Sequence, residues 1–255
     1  MTRNELLDLA RGDLVAFIDA DDYVYPTYLE RLYQALYNEK ADMGMCGVQK
    51  FSGEFPTEIH KDDKQTIRLI SGREAYLELY GPDRERFTVS WGKLWRKECF
   101  AGLRYPEDKI CEDLFLSHRL YEQTKRVAVL DTPLYAYYRN YNGIMRSPYS
   151  IRRYDEVRAY EDGVAFFSQR KDEALMRLAA RERELCIAYH YFRACKAGLK
   201  KQIPLPYRIS RREAFKRLRV NLTDDQYEYF LIDYYPNYIK LRAYFRHILR
   251  KRKPD

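Results

Sequence analysis

The sequence has no apolar run of membrane-spanning length, no CxxC pair, no internal repeat and no low-complexity tract. The first absence gives the expectation that the chain is not an integral membrane protein. Cysteine is sparse and odd in number (Cys46, Cys99, Cys111, Cys186 and Cys195), so neither a disulfide framework nor a zinc site is expected, and a reducing cytoplasm is the simpler compartment. The start, Met1-Thr2-Arg3-Asn4-Glu5, is polar rather than signal-like. The four histidines are scattered, and His118 alone lies near a chemically suggestive motif. What is abundant is tyrosine, 25 against 12 Phe and 2 Trp, a side chain that buries a ring while keeping a hydroxyl near polar groups. A hydrophobic share of 46% in 255 residues supports a real core, one domain with an extension or two small ones. The formal net charge of +8 permits nucleic acid, an anionic membrane or phosphate-bearing substrates and selects none of them.

Taken in order, residues 4–10 read as helix, with Gly12 as the stop. A buried strand at 14–18 follows and ends abruptly in Asp19, Asp21 and Asp22. Pro26 opens a helix running to about residue 39, with Leu29, Leu32, Tyr33, Leu36 and Tyr37 expected on its inner face. A second strand at 41–51 should run parallel to the first if that helix is a right-handed crossover. Further expectations are a short strand at 66–70, a helix at 73–80 capped by Ser71 with Glu74, and a strand turning into a short helix over 89–100. A helix should start at Glu112-Asp113, with two strands at 126–130 and 134–139. Beyond Ser150 the pattern becomes helical and basic, which places a boundary there: domain 1–150, extension 151–255.

Three carboxylates within four positions repel one another unless something positive joins them, and hard oxygen ligands suit Mg2+ or Mn2+. A cluster of helix-capping carboxylates explains the same spacing equally well. An EF-hand does not, because Val24 stands where glycine is required and Pro26 lies inside the loop. Asp113 can be a helix cap or, if a substrate proton comes within reach, a general base. Trp91-Gly92-Lys93-Leu94-Trp95 suits a buried aromatic strand face or the border of an acceptor pocket. The run 137–147 ends a strand in a polar loop with two arginines, a residue suited to bidentate phosphate contact.

Four motifs in fixed order, residues 7–24, 91–95, Glu112-Asp113-Leu114-Phe115 and Tyr137-Tyr138-Arg139, resemble family 2 glycosyltransferases of the GT-A fold over roughly residues 1–147. The resemblance implies an α/β architecture: an incomplete GT-A (Rossmann-like) mixed sheet flanked by helices, with a mostly helical C-terminal extension. It assigns Asp19 and Asp21 to a divalent metal, Mg2+ or Mn2+, on the diphosphate of a nucleotide sugar, with Asp22 beside them. It assigns the base to Asp113 with Glu112 as neighbour, and a donor diphosphate contact to Arg139. Trp91 and Lys93 are placed toward the acceptor. The implied reaction is an inverting sugar transfer from a UDP-sugar to a hydroxyl of a polysaccharide or lipid-linked acceptor. The family's opening strands, which hold the nucleoside, have no counterpart here; the chain begins at what would be the helix before the metal motif. A truncated, non-catalytic or partner-dependent remnant is therefore the alternative. Nucleic-acid binding by the Arg208–Arg219 run has no recognised module behind it and is not expected. The mixture of Tyr, Ile, Leu, Phe, Arg and Lys in 235–253 suits an interfacial helix on an anionic membrane, at the inner face of the cell membrane.

Overall fold

A computed structural model describes residues 2–56, 66–139, 148–224 and 226–227. The long β-strands are apolar on both sides, so both sheet faces must be covered, and helices cover them. In chain order the elements are α1 (Arg3–Leu9), β1 (Leu14–Val15), β2 (Tyr23–Val24), α2 (Tyr28–Asn38), β3 (Met43–Phe51), β4 (Ile67–Ser71), α3 (Gly72–Glu78), α4 (Arg84–Thr88), β5 (Lys93–Arg96), α5 (Glu112–Gln123), β6 (Arg126–Tyr138), α6 (Asp155–Gln169), α7 (Glu173–Lys196) and α8 (Arg211–Asn221). The strands form one mixed sheet in the order β1-β5-β3-β6-β2, with β4 also on β6. β3 pairs with β6 in parallel and with β5 antiparallel, and β5 pairs antiparallel with β1. β1 and β3 therefore run in the same direction, as the crossover helix requires, with β5 inserted between them.

Alternation along the central strands sends side chains to two cores. Met43, Met45, Trp95, Val127 and Val129 pack with Leu79 after α3 and with Leu116 and Leu120 of α5. Cys46, Leu94, Ala128, Leu130 and Tyr135 pack with Tyr28, Leu32, Ala35 and Leu36 of α2. The inner face of α2 differs from the expected one: Leu29, Tyr33 and Tyr37 are 51%, 49% and 67% exposed. Small Ala35 and the N-terminal Tyr28, whose hydroxyl donates to the Lys93 carbonyl at 3.2 Å, set the buried stripe instead.

The two strands expected at 126–130 and 134–139 are one, β6, which passes through Pro133 without breaking. Opposite it, β3 shifts register around Gly47. There the Asp131 carbonyl approaches so closely that a Cβ on residue 47 would overlap it, and would also lie 3.0 Å from Pro133 N. Arg86 of α4 closes the irregularity by donating to the Cys46 carbonyl at 2.9 Å and to the Leu130 carbonyl.

Ser71 and Glu74 form the expected reciprocal cap of α3. Contacts group Met1–Pro148 with Arg158–Ala180 in one compact unit and Tyr149–Val157 with Arg181–Asp255 in a second. Within the second, Arg181 donates to the Asn221 carbonyl at 3.0 and 2.7 Å, and Arg217 pairs with Glu184 at 2.5 Å. Arg208 donates to the Ile203 and Lys201 carbonyls, so part of the basic 208–219 run is internal structure. Among the described residues no helix is long and apolar enough to cross a membrane. The loop at 140–147 and the segment 235–253 lie outside the described residues.

Gly47→Ala should lower unfolding free energy by about 2–3 kcal/mol, since the backbone of residues 131–133 must retreat from the new methyl group. Urea denaturation of the two proteins measures it.

Candidate active site

A cleft of about 1040 Å³ opens beside the end of β1, with Arg3, Phe17, Asp19, Tyr105 and Glu112 among its lining. α1 starts here with Thr2 and Glu5 forming a reciprocal cap. Asn4 then clamps the backbone of Tyr105 in both directions, its amide donating to the Tyr105 carbonyl and its oxygen accepting the Tyr105 N–H, each at 2.9 Å. This fixes the first turn, from which Arg3 reaches into the cleft. Its guanidinium donates to Asp19 Oδ1 at 3.0 Å and to Glu112 Oε1, and lies 3.9 Å from Asp113 Oδ1.

The electrostatics of the group are those of acids crowded into a partly buried space. Burial raises the Asp19 pKa, Asp113 and Asp21 add to the rise, and Arg3 opposes it. Burial, then Asp113, raises Glu112. Burial works against the Arg3 charge, but Asp113, Asp19 and Glu112 outweigh it, so its pKa is raised. Arg3 is thus the positive group that lets the acids share the cleft.

Asp113 is not the cap of α5. The N-cap position belongs to Cys111, in the left-handed region at φ 65 with no side-chain cap bond. The Asp113 carboxylate turns to Ser90 instead, accepting its N–H on Oδ2 at 3.2 Å and its hydroxyl on Oδ1 at 2.6 Å. Ser90 Oγ also meets the Tyr105 hydroxyl at 2.7 Å. Asp22, for its part, folds back onto β6: Tyr135 donates its hydroxyl to Oδ2 at 2.7 Å and the Tyr138 N–H to Oδ1 at 2.8 Å. The Tyr135 oxygen also accepts the Asp19 N–H at 3.1 Å, so one tyrosine pins both ends of the acidic loop.

Of the residues expected from the sequence, Asp19, Glu112 and Asp113 come together around Arg3. Asp21 is exposed at the loop. Arg139 is exposed at the end of β6, its N–H on the Phe51 carbonyl at 2.8 Å. Trp91 and Lys93, placed toward an acceptor by sequence, point inward. Trp91 is 5% exposed and stacks on Tyr135 at 4.6 Å and on Tyr137 at 5.5 Å, so it backs the tyrosine that pins the acidic loop. Lys93 is 1% exposed and donates to the Phe87 carbonyl at 2.8 Å and to the Val89 carbonyl. Those carbonyls lie at the C-terminal end of α4, just before Ser90, so the Lys93 amine holds that segment in place instead of meeting a ligand. His118 is buried against Asp162 at 3.0 Å, and burial lowers its pKa.

Sequence reasoning missed Arg3, Ser90, Tyr105 and Tyr135. Only Arg3 carried a signal: a cation in the first turn of a helix sits at the positive end of the macrodipole, where it needs acids as company. Asp19 and Asp21 offer the oxygen donor set a divalent cation prefers, and their mutual repulsion, felt at both Asp19 and Asp22, is what such a cation relieves. The two aspartates therefore fit Mg2+ or Mn2+.

Burial lowers the Lys93 pKa to about 7. A neutral amine still carries two hydrogens, enough for its two carbonyl partners. The unfolded chain keeps this amine protonated to roughly pH 10, so between about pH 7 and pH 10 the unfolded state binds more protons and this residue's contribution to stability rises with pH. Wild type should gain on Lys93→Met across that window by on the order of 1 kcal/mol per pH unit at most. Urea unfolding of both proteins at several pH values measures the difference.

Residues 2–104 match the family model described as Glycosyl transferase family 2. The uncharacterized glycosyltransferase EpsJ of Bacillus subtilis (strain 168) is 29% identical over 171 residues, 65% of this chain and 49% of EpsJ. The glycosyltransferase GlyA of Streptococcus pneumoniae serotype 4 is 29% identical over 140 residues, 53% of this chain and 20% of GlyA. The chain thus spans about half the length of the one relative and a fifth of the other. The crystal structure of Staphylococcus aureus TarS 1–349 superposes with a TM-score of 0.50 at 17% identity, covering 85% of this chain and 57% of that one, a likeness of fold in the GT-A class. Residues 2–104 are thus similar to the family 2 glycosyltransferases.

Proposed function

We propose that the site transfers a sugar, with inversion, from a nucleotide-diphosphate sugar such as a UDP-sugar to a hydroxyl of a polysaccharide or lipid-linked acceptor. The observation that carries this reading is the convergence of Asp19, Glu112 and Asp113 on Arg3 beside an open cleft, with Asp113 aimed by two hydrogen bonds from Ser90.

In this scheme Asp113 takes the proton of the acceptor hydroxyl. The acceptor oxygen forms its bond to the anomeric carbon from the face opposite the diphosphate, and the bond from that carbon to the diphosphate oxygen breaks with its electron pair leaving on the phosphate. A divalent Mg2+ or Mn2+ held by Asp19 and Asp21 would supply charge for the departing diphosphate. Arg139, exposed at the end of β6, would contact the same diphosphate. Arg3 compensates Asp19 and Glu112 so that Asp113 is not surrounded by unopposed negative charge. Asp22 shapes the loop through Tyr135 and Tyr138, and Trp91 and Lys93 hold the 87–95 segment that presents Ser90. A lipid-linked acceptor and contact with an anionic membrane are supported by the basic, aromatic 235–253 sequence.

In the whole protein, Asp113→Asn should keep nucleoside diphosphate binding, read by calorimetry with UDP and Mn2+, while turnover falls by about 10²–10⁴-fold. Normal turnover in that variant would reduce Asp113 to a structural role. Asp21→Ala should remove the part of the rate that depends on added metal. Asp19→Asn should lose transfer yet unfold at an equal or higher temperature than wild type at pH 7. The raised Asp19 pKa means the folded state carries this carboxylate at a cost that grows as pH rises through it.

A further inference from the structure

We propose that Glu156, Cys186 and His190 form a zinc site tying the first turn of α6 to α7. Cys186 and His190 are four residues apart on α7 and so share a face. Glu156 reaches them from α6, and among the described residues this is the one set of three His, Cys, Asp or Glu side chains whose ligand atoms all lie within 4.8 Å of one another. The His190 ring is buried and its orientation is fixed by Tyr149, whose hydroxyl lies 3.2 Å from the His190 carbonyl and 3.1 Å from Nδ1.

Nδ1 meets the Tyr149 hydroxyl, which leaves Nε2 as the nitrogen that faces the other two groups, 3.0 Å from Glu156 Oε2. The buried Cys186 sulfur completes the set. A tetrahedral zinc ion uses all three, with ligand-to-ligand edges of roughly 3.5 Å, so the set need close by only about 1 Å at most.

The donor set selects the ion. Thiolate and imidazole suit zinc and disfavour Mg2+ and Mn2+, which the oxygens of Asp19 and Asp21 suit. Tyr149 supplies the outer hydrogen bond that metal-bound histidines regularly make. The half-exposed Glu156 side gives entry and a fourth position for water. Binding displaces the Cys186 thiol proton to solvent, so affinity falls with pH. The cysteine pattern gave no hint of this, because the ligands come from a Cys-x3-His helix face and a residue thirty positions earlier rather than from a CxxC pair.

The purified, chelator-treated chain is titrated with ZnCl2 against a chromogenic chelator, and separately with CoCl2 followed by absorption. One equivalent of zinc should bind, and cobalt should give a near-ultraviolet thiolate band with intense visible bands of a tetrahedral centre. Cys186→Ser should abolish the thiolate band, and both Cys186→Ser and His190→Gln should weaken zinc at least tenfold. Cys195→Ser should change neither. Glu156→Gln, altering a half-exposed side chain, should weaken zinc without loss of helical circular dichroism and keeps the test open if a core variant does not fold. Absence of stoichiometric uptake, or uptake that survives both Cys186→Ser and Glu156→Gln, overturns the proposal.

Discussion

Carboxylate repulsion is the constraint around which the cleft is built. Asp19, Asp21, Asp22, Glu112 and Asp113 come from two distant stretches of chain, and burial first, then neighbouring carboxylates, raises the pKa of Asp19, Asp22 and Glu112. Each is answered separately. Arg3 takes Asp19 and Glu112, Ser90 takes Asp113, and Tyr135 with the Tyr138 N–H takes Asp22. Asp21 is left exposed to water. The acids are thus held as a set without being neutralised into a simple salt-bridge cluster.

The 87–95 segment makes that arrangement rigid. Its serine aims the proposed base, and its tryptophan backs the tyrosine that pins the acidic loop. Its lysine, buried beneath, holds the carbonyls of the turn. A sheet position beside both cores gives these side chains the fixed backbone that a loop alone would lack. The bulge at Gly47 serves the same end: it lets β6 run unbroken from the α5 side of the sheet to the Tyr135–Tyr138 stretch that reads the acidic loop.

Much of this was legible in the sequence. The capping box at Ser71 and Glu74 and the parallel sense of β1 and β3 follow from short-range patterns and handedness, and the structure bears them out; the buried strand expected at 14–18 is shorter, Leu14–Val15, with Ile18 47% exposed. The face of α2 was misread because counting large apolar residues overlooked Ala35 and gave Tyr33 and Tyr37 an interior role, although a tyrosine on a helix is as content at the surface. The strand break expected near Pro133 is absent because a glycine on the neighbouring strand, remote in sequence, absorbs the irregularity. Lys93, expected toward an acceptor with Trp91, lies inside instead, where two carbonyls and nearby Asp113 make burial tolerable.

The sequence by itself determined which chemical groups are present, where strands end in acids, and which helices begin with carboxylates, because those are properties of neighbours along the chain. Only the tertiary structure decided that Arg3 meets Glu112 across 109 positions, that Ser90 rather than the helix terminus takes Asp113, and that Trp91 and Lys93 face inward. Such pairings depend on distance and burial, and both are set by how the sheet orders its strands, which no local pattern encodes.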